Sequence, residues 1–287
     1  MMREVEQAVW SAAAWVLTLD GRGDSPLERA ASDVVRTLGL ASDPGLDDST
    51  SRAMVAQTVA PIHQVSALLR EGSGSWADQS DDALLAQGRA SGRAAQMMAE
   101  HLLARLTGLD EAFATSGTRM LDVGTGVAGM AVGYAEQFPA LTVVGIDVMP
   151  RVLALARRTV AASAAADRVV LREQSVTDLD EEDVYAFAWV PAPFLPQDAL
   201  EAGVRRVAAS LVPGGWLMLG HAKLGGDPLE DALSRFKTVA YGGTALDDDQ
   251  AAALLRDAGL VEVMTVPSPP GAPALTLGRR EPQARTS

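Results

Sequence analysis

The spacing of apolar residues along the chain changes once, near Gly117. Before that point they recur at the three-and-four spacing of amphipathic helices. Val5, Val9, Trp10, Ala13, Val16 and Leu17 predict a first helix. A second is expected from Pro26, a good first-turn residue behind Ser25, to Leu38. A third is expected from Arg52 to Leu69 with a kink at Pro61, and a long one from Asp81 to Leu106, stopped by Gly108. The loop EGSGSWADQSDD lies between these last two, and no strand-like alternation interrupts the stretch.

Beyond Gly117 short apolar runs alternate with helical ones. RMLDVG, LTVVGIDV, RVVLREQSV, DVYAFAWV and GGWLMLG read as strands. Helices are expected up to Phe138, through Arg157, from Gln197 to Leu211 and from Asp248 to Ala258. Val261 to Val266 and Ala274 to Gly278 complete a set of seven strands. Such alternation predicts an α/β fold, a seven-stranded mostly parallel sheet covered on both faces. The expected organisation is an all-helical N-terminal cap over residues 1–115, a sheet domain over 116–280 and a flexible tail at 281–287.

The first strand ends in MLDVGTGVAG, Met120 to Gly129, and runs directly into an apolar helix. Gly124 and Gly126 permit a tight turn and let a ligand approach the backbone. The helix N-terminus then offers unpaired N–H groups to that ligand. The second strand ends at Asp147, whose carboxylate can accept hydrogen bonds from both ribose hydroxyls of an adenosine. These residues specify an adenosine crevice at the carboxyl ends of parallel strands. The cofactor stays open at this level, because Gly124-x-Gly126-x-x-Gly129 also fits the dinucleotide fingerprint. Asp122 separates the two readings: a carboxylate there disfavours a pyrophosphate and suits a ligand carrying an ammonium and a sulfonium.

MLDVGTG resembles motif I of the class I S-adenosylmethionine-dependent methyltransferases. VVGIDVMPRVLALAR resembles the segment that follows it in that family, which implies Asp147 as the ribose acid with Val148 and Met149 beside the adenine. RVVLREQSVTDL resembles the third strand and its loop; where the family usually has Gly-Asp, Gln174 and Ser175 stand here, with Ser175 able to bond the adenine edge. VRRVAASLVPGGWLMLG resembles the family's helix, Pro-Gly-Gly turn and fifth strand. The matches run from about 118 to 220. They imply a Rossmann-like methyltransferase sheet, S-adenosyl-L-methionine as cofactor, and methyl transfer to a small molecule held under the helical cap.

AWVPAPFLP, Ala188 to Pro196, narrows the acceptor. It lacks the polar first residue usual in methyltransferases acting on DNA bases or glutamine amides, and the metal-binding Asp of catechol-type enzymes. Trp189, Pro191 and Phe194 are expected at the mouth of the crevice beside the donor, forming an aromatic wall for a planar acceptor such as a phenol or indole. Trp76, in its Gly/Ser-rich loop, is a lid candidate. His221, directly after the fifth strand, is the candidate general base. His63 and His101 are expected to be structural, as are Trp10 and Trp15, in core or subunit contacts. The run Leu246-Asp247-Asp248-Asp249 is expected to start a helix rather than bind a metal.

Composition adds exclusions. A net charge of −13 disfavours nucleic acid as a partner. The chain has no cysteine, so disulfides and thiolate metal sites are ruled out, and three separated histidines offer no metal ligand set. The apolar N-terminal stretch is too short to span a bilayer and is preceded by Glu4 and Glu6, so the expected setting is cytoplasmic. A homodimer through the cap is expected, with a bacterial role in natural product biosynthesis. The rival readings are an NAD(P)-dependent oxidoreductase, for which Tyr185 and Tyr241 lack a Lys four residues on, and a non-catalytic methyltransferase-like structural protein.

Overall fold

The computed structural model describes residues 2–20, 25–39, 59, 62, 65, 66, 68–70, 76–101, 105–266 and 273–283. Helix α1 (Met2–Asp20) packs against α2 (Pro26–Thr37) around Ala14, Ala31 and Val35. The Ser25 hydroxyl accepts from the Glu28 N–H while the Glu28 carboxylate accepts from the Ser25 N–H, a reciprocal cap that fixes the start of α2. The expected helix from Arg52 to Leu69, with its kink at Pro61, lies mostly outside the described residues.

The long helix α3 (Asp81–His101) begins behind Ser80, whose hydroxyl accepts from the Ala83 N–H. Gly108 does not end it. With φ of 79°, Gly108 precedes a separate short helix, α4 (Leu109–Ala114), which the apolar spacing did not reveal. The sheet follows: β1 (Arg119–Val123), α5 (Gly129–Gln137), β2 (Thr142–Asp147), α6 (Pro150–Ala161), β3 (Val169–Glu173), β4 (Tyr185–Pro191), α7 (Gln197–Ser210) and β5 (Leu211–His221). The chain closes with α8 (Pro228–Ala240), α9 (Asp248–Asp257), β6 (Val261–Val266) and β7 (Ala274–Arg279). Helix α8 is a further element absent from the sequence reading, although Asp227 before Pro228 is a start signal and its carboxylate caps the Leu229 and Glu230 N–H groups.

The seven strands lie in the order β3-β2-β1-β4-β5-β7-β6. Only β7 is reversed, pairing antiparallel with β5 and β6, so the sheet is mostly parallel as the alternation predicts. One face carries α3, α4, α5 and part of α6 over Phe113, Met120, Tyr134, Phe187, Trp189 and Trp216. The other carries α7 and α9 over Leu121, Val144, Val204, Leu217 and Leu255. The central strands are buried on both faces, which is why their sequences read as continuous apolar runs.

This topology sets the location of the site. The chain winds outward from β1 through β2 to β3, then returns to place β4 on the other side of β1. The crevice that opens at such a switch point, beyond the carboxyl ends of the strands, is the ligand-binding position of doubly wound sheets.

Candidate active site

A single cavity joins the ends of β1, β2, β3 and β4 to the underside of α3. Gly124 and Gly126 hold φ of 62° and 58°, which only glycine adopts without strain. Their turn places the loop backbone on the cavity wall. Ala128, at φ 65°, precedes α5 in the same left-handed region despite its side chain.

Asp147 closes β2 and lines the cavity. One carboxylate oxygen accepts from the Gly126 N–H at 2.9 Å and the other from the Met149 N–H at 3.0 Å. Burial raises its pKa, and the N–H groups of Met149, Gly126 and Val148 pull it back. A carboxylate has about four acceptor positions, so about two stay open to a ligand donor in the cavity. Val148 (61% exposed) presents an apolar side chain to the same space, with Met149 beside it. Ser175 and Gln174 line the wall after β3; the Ser175 hydroxyl also accepts from the Thr177 N–H and so orders its own turn.

Asp122 stands elsewhere than its motif position suggests. It is 1% exposed, does not line the cavity, and accepts a hydrogen bond from the Thr125 hydroxyl at 2.7 Å. Its register neighbours are Gly145 on β2 and Trp189 on β4. A Cβ at Gly145 would fall 2.6 Å from the Thr125 hydroxyl oxygen, so glycine there is what lets Thr125 fold over the carboxylate. Asp122 therefore braces the loop from behind instead of meeting a ligand directly.

One side of the cavity is aromatic. Trp76 and Phe194 both line the cavity, edge to face with centroids 5.2 Å apart. Tyr241 completes a three-ring cluster, 5.5 Å from Trp76 and 5.6 Å from Phe194. Arg151 at the start of α6 fixes the Trp76 turn by donating to the Ala77 and Gln79 carbonyls and to the Asp81 carboxylate. Trp189 and Pro191 are not in the lining: Trp189 packs over Gly220 inside the core, and Pro191 lies behind Gly124, its Cγ 3.7 Å from where a Cβ there would sit.

The structure does not bring His221 to the cavity. It is fully buried, with Nε2 2.8 Å from the Thr276 hydroxyl and Nδ1 3.1 Å from the Ala222 carbonyl. Burial lowers its pKa, only partly offset by the Ala222 carbonyl and by Asp248. With both ring nitrogens engaged inside the protein, its place is that of a core tie between β5 and β7, which corrects the general-base assignment. A His221→Ala variant is expected to lose about 2 kcal/mol of stability, by opening a cavity in the core and removing one of the two hydrogen-bond partners of Thr276, which keeps Thr265. Its affinity for adenosine ligands should be unchanged. Denaturant melts and ligand titration check the two halves of that statement. His63 lies outside the described residues, as does the side chain of His101.

Residues that the sequence reading missed come from α3. Leu84, Gln87, Gly88 and Ser91 form one helical stripe along the cavity. They reach it because α3 crosses α5 backbone to backbone: a Cβ at Gly129 would lie 1.9 Å from the Gly88 carbonyl oxygen, and one at Gly133 would lie 2.8 Å from that of Gly92. Among the described residues no cluster of His, Asp or Glu has the arrangement of a metal site, and no helix is long and apolar enough to cross a membrane.

Comparison with known proteins agrees with this geometry. Residues 120–215 match the family described as a methyltransferase domain. No curated protein matches the chain by sequence. Among solved structures, an O-methyltransferase family protein from Burkholderia thailandensis is similar at TM-score 0.66 and 19% identity, over 98% of this chain and 96% of that one. Human N-acetylserotonin methyltransferase, solved with S-adenosylmethionine, gives 0.65 and 14% over 96% and 94%. Mitomycin 7-O-methyltransferase gives 0.59 and 18% over 97% and 96%. With the glycine loop and the strand order in place, residues 120–215 form a methyltransferase domain, and the chain has the fold of the S-adenosylmethionine-dependent methyltransferases it resembles.

Proposed function

We propose that the protein methylates a hydroxyl oxygen of a small planar aromatic molecule, of phenol or indole type, in bacterial specialised metabolism. The observation that carries this reading is the Trp76–Phe194 pair, which lines the same cavity as Asp147 and the glycine loop. Flat apolar walls favour a flat apolar ligand, since ring stacking adds to the burial of area. The names of similar folds, O-methyltransferases among them, point the same way.

When bound, S-adenosylmethionine supplies an electrophilic methyl group on a sulfonium. Asp147 would hold its ribose, Val148 and Met149 flank the adenine, Ser175 bond the adenine edge, and the Gly124–Gly126 backbone accommodate its tail. The stripe on α3 and the Trp76 turn exclude water and orient the acceptor, and such positioning supplies a large share of acceleration in group transfer. Residues 1–115 serve as a cap over this site, and exposed Val9 and Trp10 on α1 suit pairing of two copies in a cytoplasmic homodimer.

The test is incubation of the protein and donor with a panel of phenols and hydroxyindoles, followed by mass detection of a methyl gain. Methylation of at least one panel member is expected. In a Trp76→Ala variant the KM of that acceptor should rise about tenfold, the loss of one aromatic contact. Affinity for S-adenosylhomocysteine should change less than twofold. Methylation confined to non-aromatic compounds, or a Trp76 variant with unaltered KM, would contradict the reading.

A further inference from the structure

Two carboxylates flank the glycine loop, and among the described residues neither is ion-paired with a cation. Asp147 faces the cavity and is held by backbone N–H groups; Asp122 lies behind the loop with the Thr125 hydroxyl as its side-chain partner. The titratable groups acting on Asp122 are Asp147 of β2 and Tyr134 of α5, both of which add negative charge or none. From β4 the neighbour is uncharged Trp189, and from the loop Thr125. A buried carboxylate without a cationic partner is expensive, and it can be relieved in two ways: by taking up a proton, or by the arrival of a positive ligand nearby.

The methyl donor and the product of the reaction differ by such a charge. S-adenosylmethionine carries a sulfonium, an ammonium and a carboxylate, net +1; S-adenosylhomocysteine has a neutral thioether in place of the sulfonium, net zero. Adenine, ribose, ammonium and carboxylate are common to both. We infer that Asp122 is the residue by which this site discriminates donor from product, its buried charge behind the glycine loop favouring the sulfonium form and releasing the thioether. This rests on the cofactor reading above. Asp122 acts through its field, since Thr125 and the loop stand between it and the cavity.

A direction in pH follows. Burial, the largest cause, pushes the Asp122 pKa up to about 7, with Asp147 adding to the rise and the Thr125 hydroxyl and Ala131 N–H opposing it. Below that pH the empty site holds Asp122 protonated, and donor binding must release the proton. Donor affinity therefore falls as pH drops through and below 7, toward a limit of tenfold per pH unit at full coupling. Product affinity falls less, because no sulfonium drives the release.

The experiment is calorimetric titration of the whole protein with S-adenosylmethionine and with S-adenosylhomocysteine between pH 5.5 and 7.5. That range lies below the titration of a free α-amino group, at about 7.7–8.0. The readout is the ratio of the two dissociation constants, which cancels effects shared by both ligands. The ratio should shift toward the donor by about fivefold or more across the range. In Asp122→Asn, which preserves the oxygen that accepts from Thr125, the ratio should become independent of pH. A flat ratio in the unaltered protein overturns the inference, and that measurement stands even where the variant fails to fold. An unchanged slope in a folded Asp122→Asn protein overturns it as well. Binding of neither ligand at any pH removes the cofactor reading itself, an outcome distinct from a flat ratio between two ligands that both bind.

Discussion

An Asp147→Ala variant is expected to bind S-adenosylhomocysteine about a hundredfold to ten-thousandfold more weakly, as read by calorimetry. Hydrogen bonds to a charged group contribute about 1.5–3 kcal/mol each, and a ribose offers two hydroxyls to this carboxylate. The same substitution removes the acceptor of the Gly126 and Met149 N–H groups, which hold the glycine loop and the start of α6 to the end of β2. Affinity is therefore lost from the contact and from the loop it shapes. Asp147→Asn separates these two parts. It keeps the volume and one accepting oxygen, but turns an N–H₂ toward one of two backbone donors, so an intermediate loss is expected. Circular dichroism should show the sheet intact in both variants, since Asp147 lies at the end of its strand.

The second large effect is predicted far from any ligand atom. Gly129→Ala places a methyl 1.9 Å from the Gly88 carbonyl oxygen and 2.6 Å from its carbon, backbone on backbone, where no rotamer change gives relief. Helix α3 must move away from α5. Overpacking of this kind costs about 1–3 kcal/mol or more, and here it also lifts the stripe of Leu84, Gln87, Gly88 and Ser91 off the cavity. The expected result is a clear fall in the unfolding midpoint together with weakened ligand binding. Gly133→Ala meets the Gly92 carbonyl at 2.8 Å and the Ala95 methyl at 3.1 Å, so its loss should be smaller. Equal stability of the Gly129 and Gly133 variants would refute the close crossing as the device that seats α3.

The parallel core of this molecule is legible because its signals are local. A strand buried on both faces must be apolar throughout, and the glycine loop must follow the first such strand, so MLDVGTG marks both the topology and the site. Asp147 is readable for the same reason, since its position is set by the length of the next βαβ step. Contacts between distant segments leave no such mark. Gln87, Ser91 and Arg151 look like ordinary helical polar residues; only the Gly88–Gly129 crossing and the Arg151 bonds to Ala77 and Gln79 give them a place at the site.

Asp122 and His221 show the opposite error, in which position along a strand is mistaken for direction. Both lie near the carboxyl ends of strands, where ligands bind, yet alternation turns their side chains into the protein. His221 meets Thr276 of a strand far away in sequence, and nothing near residue 221 announces that partner. Tyr241 was hidden for another reason. It ends a helix the sequence reading did not place, and it joins Trp76 and Phe194 only because α8 returns toward the end of β4.

An adenosine crevice of this geometry is expected to take a sulfonium donor and not a dinucleotide. Calorimetric titration of the purified protein with S-adenosylhomocysteine, with NADH and NADPH in parallel, tests it most directly. Saturable binding of the thioether at micromolar concentration, with no heat from either nicotinamide cofactor, is the result the geometry of Asp147 and the glycine loop predicts. Saturable binding of NADH or NADPH without the thioether, or silence from all three, would contradict it.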